Sequence, residues 1–117
     1  MIEDWTIDDL LSWANGLGVC TFKKRKCEWK HVDLWDQEIV CEKGRVKIEM
    51  HFGRFSESVP DDGGKRCVHF GYTDERDGGY SGGGCAYADL DKLAARIEKR
   101  AVELGLAEAQ MSIFSLL

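Results

Sequence analysis

The stretch VKIEMHF, residues 46–52, decides which fold this chain is expected to adopt. Its apolar residues alternate strictly with polar ones: Val46, Ile48, Met50 and Phe52 against Lys47, Glu49 and His51. Because successive side chains of a strand point to opposite faces, this pattern predicts a β-strand with one apolar and one polar face. The sheet that contains it needs other elements to cover the apolar face.

The segments on either side predict strands that pair with this one. DQEIVCEK (36–43) precedes it and is separated from it by a tight turn at Lys43-Gly44, a signal typical of a hairpin. KRCVHFGYT (65–73) follows it and alternates in the same way. These patterns indicate consecutive antiparallel pairing rather than a parallel sheet.

The outer strands are less clearly marked. CTFKKRKCEW (20–29) alternates imperfectly, and its basic run Lys23–Lys26 is typical of a charged edge strand that discourages aggregation. DERDGGYSGGG (74–84) is predicted as a glycine-rich connection, after which GCAYA (84–88) is a candidate short strand. We therefore expect a sheet of about four strands.

Amphipathic helices are predicted before and after the strands. Thr6 can cap the first, with Asp9 at the spacing of a capping box. The second runs from Leu90 to about Leu104, with Asp89 as its cap and Gly105 as its stop. The sequence thus predicts an α+β two-layer sandwich, in which both helices cover one face of an antiparallel sheet. We expect a single domain over 1–105 and a tail over 106–117.

Composition narrows the classes of function. The net charge of −5 argues against direct binding of nucleic acid, which needs a basic surface, and it suits a partner with a basic surface. The longest apolar runs are too short to cross a membrane. Five cysteines without a CxxC pair indicate free thiols, a reducing compartment and hence a cytoplasmic protein.

Three metal-binding side chains are expected on the polar face of the sheet. By strand alternation, His51, Cys67 and His69 share this face, and they could bind zinc if their strands are neighbours. No fourth ligand is evident, and half-exposed polar residues on a solvated sheet face are the alternative interpretation. We expect no cofactor, with zinc as the alternative.

No catalytic arrangement emerges from the sequence. Residues 79–83 match G-x-S-x-G, but no histidine follows His69, whereas a hydrolase of that type needs one downstream. We therefore expect a protein that is not an enzyme, with a small metalloenzyme using the Cys/His face as the alternative. Trp29 and Trp35 lie in the polar stretch EWKHVDLWDQ and are candidates for a protein interface.

The segment QMSIF, residues 110–114, follows the second predicted helix and has the composition of a docking peptide. Gln110 offers an amide donor and acceptor, and Met111, Ile113 and Phe114 are apolar anchors for a preformed pocket. The segment resembles the bacterial motif that binds the sliding clamp (DNA polymerase III β). In that family the glutamine hydrogen-bonds at the rim of the clamp pocket and the apolar residues fill it.

The resemblance implies a bacterial protein, or one of a phage or mobile element, that docks on the replication clamp through Gln110, Met111, Ile113 and Phe114. The chain also resembles, in a general way, small acidic inhibitors of host defence machines such as anti-CRISPR proteins. In that alternative the tail packs on the core of its own domain. A homodimer that pairs through an exposed strand edge remains open as well.

Overall fold

The computed structural model describes residues 2–26, 37–54 and 66–108, with the main chain alone described at Arg54. Two helices and five strands follow a short 3-10 turn in chain order: Ile2–Asp4, α1 Ile7–Gly16, β1 Lys23–Lys26, β2 Gln37–Lys43, β3 Val46–Arg54, β4 Arg66–Asp74, β5 Ser81–Tyr87 and α2 Leu90–Leu104. The chain therefore belongs to the α+β class. No helix within the described ranges is long and apolar enough to cross a lipid bilayer.

The five strands form one antiparallel sheet in the order β1-β2-β3-β4-β5. The predicted strand at residues 46–52 is the middle one, and β3 pairs with β4 from Val46↔Asp74 to Arg54↔Arg66. The turn between β2 and β3 contains Gly44 with φ 61°, a conformation that glycine adopts without strain. The hairpin predicted at Lys43-Gly44 is therefore confirmed.

One face of the sheet forms the core together with both helices. Its buried strand residues, which the pairing register places on a common face, are Ile39, Cys41, Ile48, Met50, Phe52, Val68 and Phe70. α1 adds Leu10 and Ala14 to the same core, and α2 adds Leu93, Ile97 and Ala101. The apolar side of VKIEMHF is thus buried as predicted, because amphipathic helices supply the cover that the sheet needs.

The helix ends follow the capping signals of the sequence. The main-chain amide of Thr6 donates to Asp9 Oδ2 at 2.8 Å, and the amide of Asp9 donates to Thr6 Oγ1 at 3.2 Å. Asp89 Oδ1 accepts from the second and third amides of α2, and Gly105 closes that helix with φ 72°. Each cap satisfies main-chain groups that have no partner inside the helix.

The sheet differs from the prediction at its glycine-rich end. Residues 81–84, expected in a connection, form the first half of β5, so the described part of the chain contains five strands where about four were expected. A Cβ atom at Gly82 or Gly84 would lie 2.9 Å from a main-chain carbonyl oxygen of β4. Glycine, normally unfavourable in strands, fits here because β5 approaches β4 so closely.

Candidate functional sites

The polar face of the sheet brings the predicted Cys/His residues together. β3 and β4 are neighbours, His51 stands opposite His69, and Cys67 stands opposite Gly53. The two imidazole rings stack with centroids 5.2 Å apart and planes inclined by 13°. The sequence thus correctly predicted that the three side chains share a face.

Gly53 makes room for the His69 ring. A Cβ atom at position 53 would collide with Cδ2 and Nε2 of His69, so only glycine accommodates the ring in this position. Cys67 is completely buried, and burial raises the pKa of its thiol to about 11. A metal ligand must be a thiolate, so zinc binding at Cys67 would have to displace this proton.

The stacking of the His51 and His69 rings is unfavourable for binding one zinc ion. The lone pairs of imidazole nitrogens lie in the ring planes, so two nearly parallel rings direct them along separate planes rather than at one ion. Among the described residues, no group of three or more His, Cys, Asp or Glu side chains is placed to hold a metal ion. Zinc binding by His51, Cys67 and His69 stays a prediction, and it requires at least one ring to rotate.

A network of ion pairs occupies the same face near β1. Arg25 donates from Nε to Glu38 Oε1 at 2.9 Å, and its Nη2 lies 2.8 Å from the same oxygen. The Glu38 side chain is only 5% exposed, and Glu42 and Glu49 lie within 4 Å of the guanidinium. The hydrogen bond to Glu38 raises the pKa of Arg25. This pair was not predicted from the sequence, where its signal is an acidic residue in the otherwise apolar stretch EIVC.

The end of the described chain is attached beside β1. The main-chain amide of Glu108 donates to the carbonyl oxygen of Val19 at 2.8 Å, and the hydroxyl of Thr21 donates to Glu108 Oε1 at 2.6 Å. Leu106 is buried in the core just before this attachment. The candidate docking residues Gln110, Met111, Ile113 and Phe114 follow, and they lie outside the described residues, as do Trp29 and Trp35.

An acidic surface lies at the start of the chain. Glu3, Asp4, Asp8 and Asp9 are all exposed. Arg66 holds the main chain of this segment, since its Nη1 donates to the carbonyl oxygens of Ile2, Glu3 and Trp5 at 2.7–3.1 Å. Lys24 lies 2.9 Å from Asp8 and offsets part of the charge.

The G-x-S-x-G match does not form the arrangement that a hydrolase requires. Ser81 is the first residue of the edge strand β5 and not part of a strand–turn–helix elbow. Tyr80, which precedes it, is 74% exposed.

No family model, curated protein or solved structure matches this chain.

Proposed function

We propose that this protein is a non-enzymatic protein-binding factor of a bacterium, or of its phages or mobile elements, that docks on the replication sliding clamp. The observation that supports this proposal is the segment QMSIF at residues 110–114, which fits every position of the clamp-binding motif. Gln110 sets the register at the rim of the clamp pocket. Met111, Ile113 and Phe114 fill the pocket, where apolar anchors of this kind supply most of the binding free energy.

A core built from residues that precede the motif supports this proposal. α2 ends at Leu104, Leu106 closes the core, and Glu108 is hydrogen-bonded to Val19 and Thr21. The motif starts two residues after this attachment. The described core is thus formed by residues that precede the motif.

The test is calorimetric titration of the full chain into a purified bacterial sliding clamp. We expect micromolar binding, about −8 kcal/mol, as is typical of a short peptide in a preformed pocket. The double variant Gln110→Ala, Phe114→Ala removes the register residue and the aromatic anchor, and we expect it to weaken binding more than tenfold. A short peptide that occupies the clamp pocket should compete with the wild-type chain.

The matched control is Ser112→Ala, which alters the tolerant middle position of the motif and should retain binding. Thermal melts of all variants complete the experiment. If the clamp does not bind and the double variant melts several degrees lower than wild type, QMSIF belongs to the core of this domain and the proposal fails. Binding that the double variant retains would place the contact elsewhere on the domain.

A second candidate function rests on the exposed acidic residues Glu3, Asp4, Asp8 and Asp9. A cluster of this kind can occupy a basic channel for nucleic acid and block it, as an anti-CRISPR-like inhibitor of a host machine would. The net charge of −5 favours association with such a surface. This candidate requires no contribution from the tail.

A cleavage assay with a purified CRISPR nuclease tests the second candidate. We expect inhibition that weakens with added salt and with the variant Glu3→Gln, Asp4→Asn, whose residues do not cap α1. The clamp variant Gln110→Ala, Phe114→Ala should inhibit as well as wild type. Inhibition that is insensitive to both salt and the acidic variant would contradict this candidate.

A further inference from the structure

The core-facing side of β5 borders a small cavity that neither candidate function uses. Its volume is about 160 Å³, and its walls are formed by Phe70, Tyr72, Gly84, Cys85, Arg96 and Arg100. The cavity exists because β5 carries small residues where β4 carries large ones. Gly83 pairs with Tyr72 and Cys85 pairs with Phe70, so space remains between β5 and α2.

Arg100 lines this cavity and carries a buried donor. Its guanidinium carbon lies 3.9 Å from the centre of the Tyr72 ring, and Nη1 donates to Glu103 Oε2 at 2.8 Å. Its Nε is buried and has no hydrogen-bond partner in the described part of the chain. A buried donor without a partner is unfavourable, so this guanidinium is held over Tyr72 at a cost in free energy.

Arg96 lies one turn earlier on the same side of α2. Its Nε donates to the hydroxyl of Tyr87 at 2.8 Å, and this bond is the main cause of the raised pKa of Arg96. Within the described ranges, no carboxylate lies within 4.0 Å of its guanidinium. The remaining guanidinium nitrogens are therefore not engaged by a carboxylate.

The two arginines form a local positive site in an acidic protein. Positions 96 and 100 are neighbours on a helix, and like charges at this spacing disfavour the helix. Glu103, bound to Arg100, is the one acid that contacts either guanidinium among the described residues, so the cavity keeps an excess positive charge. An anion would remove this repulsion.

We propose that the Arg96–Arg100 pocket, the cavity defined above, binds a small oxyanion and, more specifically, a phosphate group. Guanidinium groups bind oxyanions through paired, charge-assisted hydrogen bonds. One guanidinium can already saturate the two oxygens of a carboxylate. Two guanidinium groups on one wall fit a phosphate, which offers enough oxygens for both. The phosphate is either free or part of a small phosphomonoester.

The test follows the amide resonances and the melting temperature of the full chain as inorganic phosphate is added at constant ionic strength. We expect shifts confined to residues 83–85 and to the neighbourhood of Arg96 and Arg100, with Tm rising by several degrees at saturation. Parallel titrations use acetate, to separate carboxylate from phosphate, and glycerol 3-phosphate, to separate a phosphomonoester from the free ion. Tighter binding of acetate than of phosphate would overturn the assignment to phosphate.

Three variants make the test specific to the pocket. The double variant Arg96→Gln, Arg100→Gln should weaken phosphate binding at least tenfold. Arg76→Gln removes an exposed arginine that pairs with Asp74 outside the pocket, and it should leave binding unchanged. Cys85→Leu keeps both arginines and fills the cavity from an exposed position, so it should also abolish binding. It therefore tests the pocket independently if the double variant folds poorly.

Protection of Cys85 provides an independent measurement. Its thiol is exposed at the wall of the pocket, so phosphate should slow its alkylation by iodoacetamide, as measured by peptide mapping. Binding that survives both Arg96→Gln, Arg100→Gln and Cys85→Leu would overturn the proposal. So would the absence of any shift or protection at 20 mM phosphate, about the concentration at which a weak two-arginine site should be filled.

Discussion

β1 and β5, the two edge strands of the sheet as formed by the described residues, are built in opposite ways. β1 is four residues long, reads KKRK, and pairs on one side with β2. Lys23, Lys24 and Arg25 all lie within 4 Å of acidic side chains. β5 is seven residues long, reads SGGGCAY, carries no charge, and pairs on one side with β4. Short, charged edges resist pairing with other chains, whereas long, uncharged ones do not.

Charged residues and glycines have different roles at the two edges of this sheet. At β1 the charges make the edge soluble and fix it to β2 and α1. At β5 the glycines permit close approach to β4, since Gly82 and Gly84 lie against main-chain oxygens of Tyr72 and Phe70. The cost is that β5 itself has no charged residue to discourage pairing with another strand. Any homodimer that forms through a strand edge should therefore use β5.

The largest effect should come from breaking the ion pair that fixes β1. Glu38→Ala leaves Arg25, whose side chain is 28% exposed, without its main partner. We expect a loss of about 3 kcal/mol in the free energy of unfolding, measured by urea denaturation, which is the upper end for a hydrogen bond to a charged group. Glu42→Ala removes an acid that is 43% exposed and should cost less than about 0.5 kcal/mol. Equal effects of the two changes would contradict the role of Glu38.

The second effect is a pH dependence of the free energy of unfolding that comes from Cys67 in β4. The exposed Cys85 in β5 serves as the comparison. The pKa of Cys67 rises from 9.0 to about 11 on folding. Both states keep the proton below pH 9. Between pH 9 and 11 the unfolded chain loses it while the folded chain keeps it, so stability falls by up to about 2.5 kcal/mol. Cys67→Ala should remove this part of the pH dependence, whereas Cys85→Ser should leave it unchanged.

The third effect tests the fit of glycine at the β5 edge. In Gly84→Ala the new Cβ would lie 2.9 Å from the carbonyl oxygen of Phe70, so the two strands must separate. We expect a loss of about 2 kcal/mol in the free energy of unfolding. Gly83→Ala is the matched control, because its Cβ meets only the movable ring of Tyr72 at 3.3 Å. If both changes cost the same, close approach does not explain the glycines of β5.

The smallest effect on stability should follow from removing charges of β1. Lys24→Thr with Lys26→Thr deletes an exposed ion pair to Asp8 and should cost at most about 0.5 kcal/mol. Its consequence should appear instead as concentration-dependent association, measured by light scattering. Ser81→Lys on β5 should act in the opposite direction and reduce any association of the wild-type chain. Unchanged scattering in both variants would mean that neither edge controls association.

The elements predicted well are those whose signals are local. The caps at Thr6 and Asp89, the stop at Gly105 and the alternation of residues 46–52 each depend on neighbours within a few positions, and the structure contains all of them. β5 was partly missed because intrinsic preference disfavours glycine in strands, whereas close approach to β4 is a property of the folded sheet.

The candidate sites also combine features that the local sequence predicts with features that depend on the folded structure. The common face of His51, Cys67 and His69 followed from the strand period, but the stacking of the two rings depends on Gly53 across the strand pair and cannot be read locally. The pairing of Arg25 with Glu38 joins residues whose order along the chain does not reveal their register. The Arg96–Arg100 pocket needs both the helix and the small residues of β5.

The attachment of Glu108 to Val19 and Thr21 limits how far the domain can move from anything that holds the tail. Two extended residues span at most about 7 Å, and only that distance separates Glu108 from Gln110. A clamp that binds QMSIF must therefore lie almost against the α1–β1 side of the domain. Such a short connection would restrict the orientation of the domain as well as its distance from the clamp.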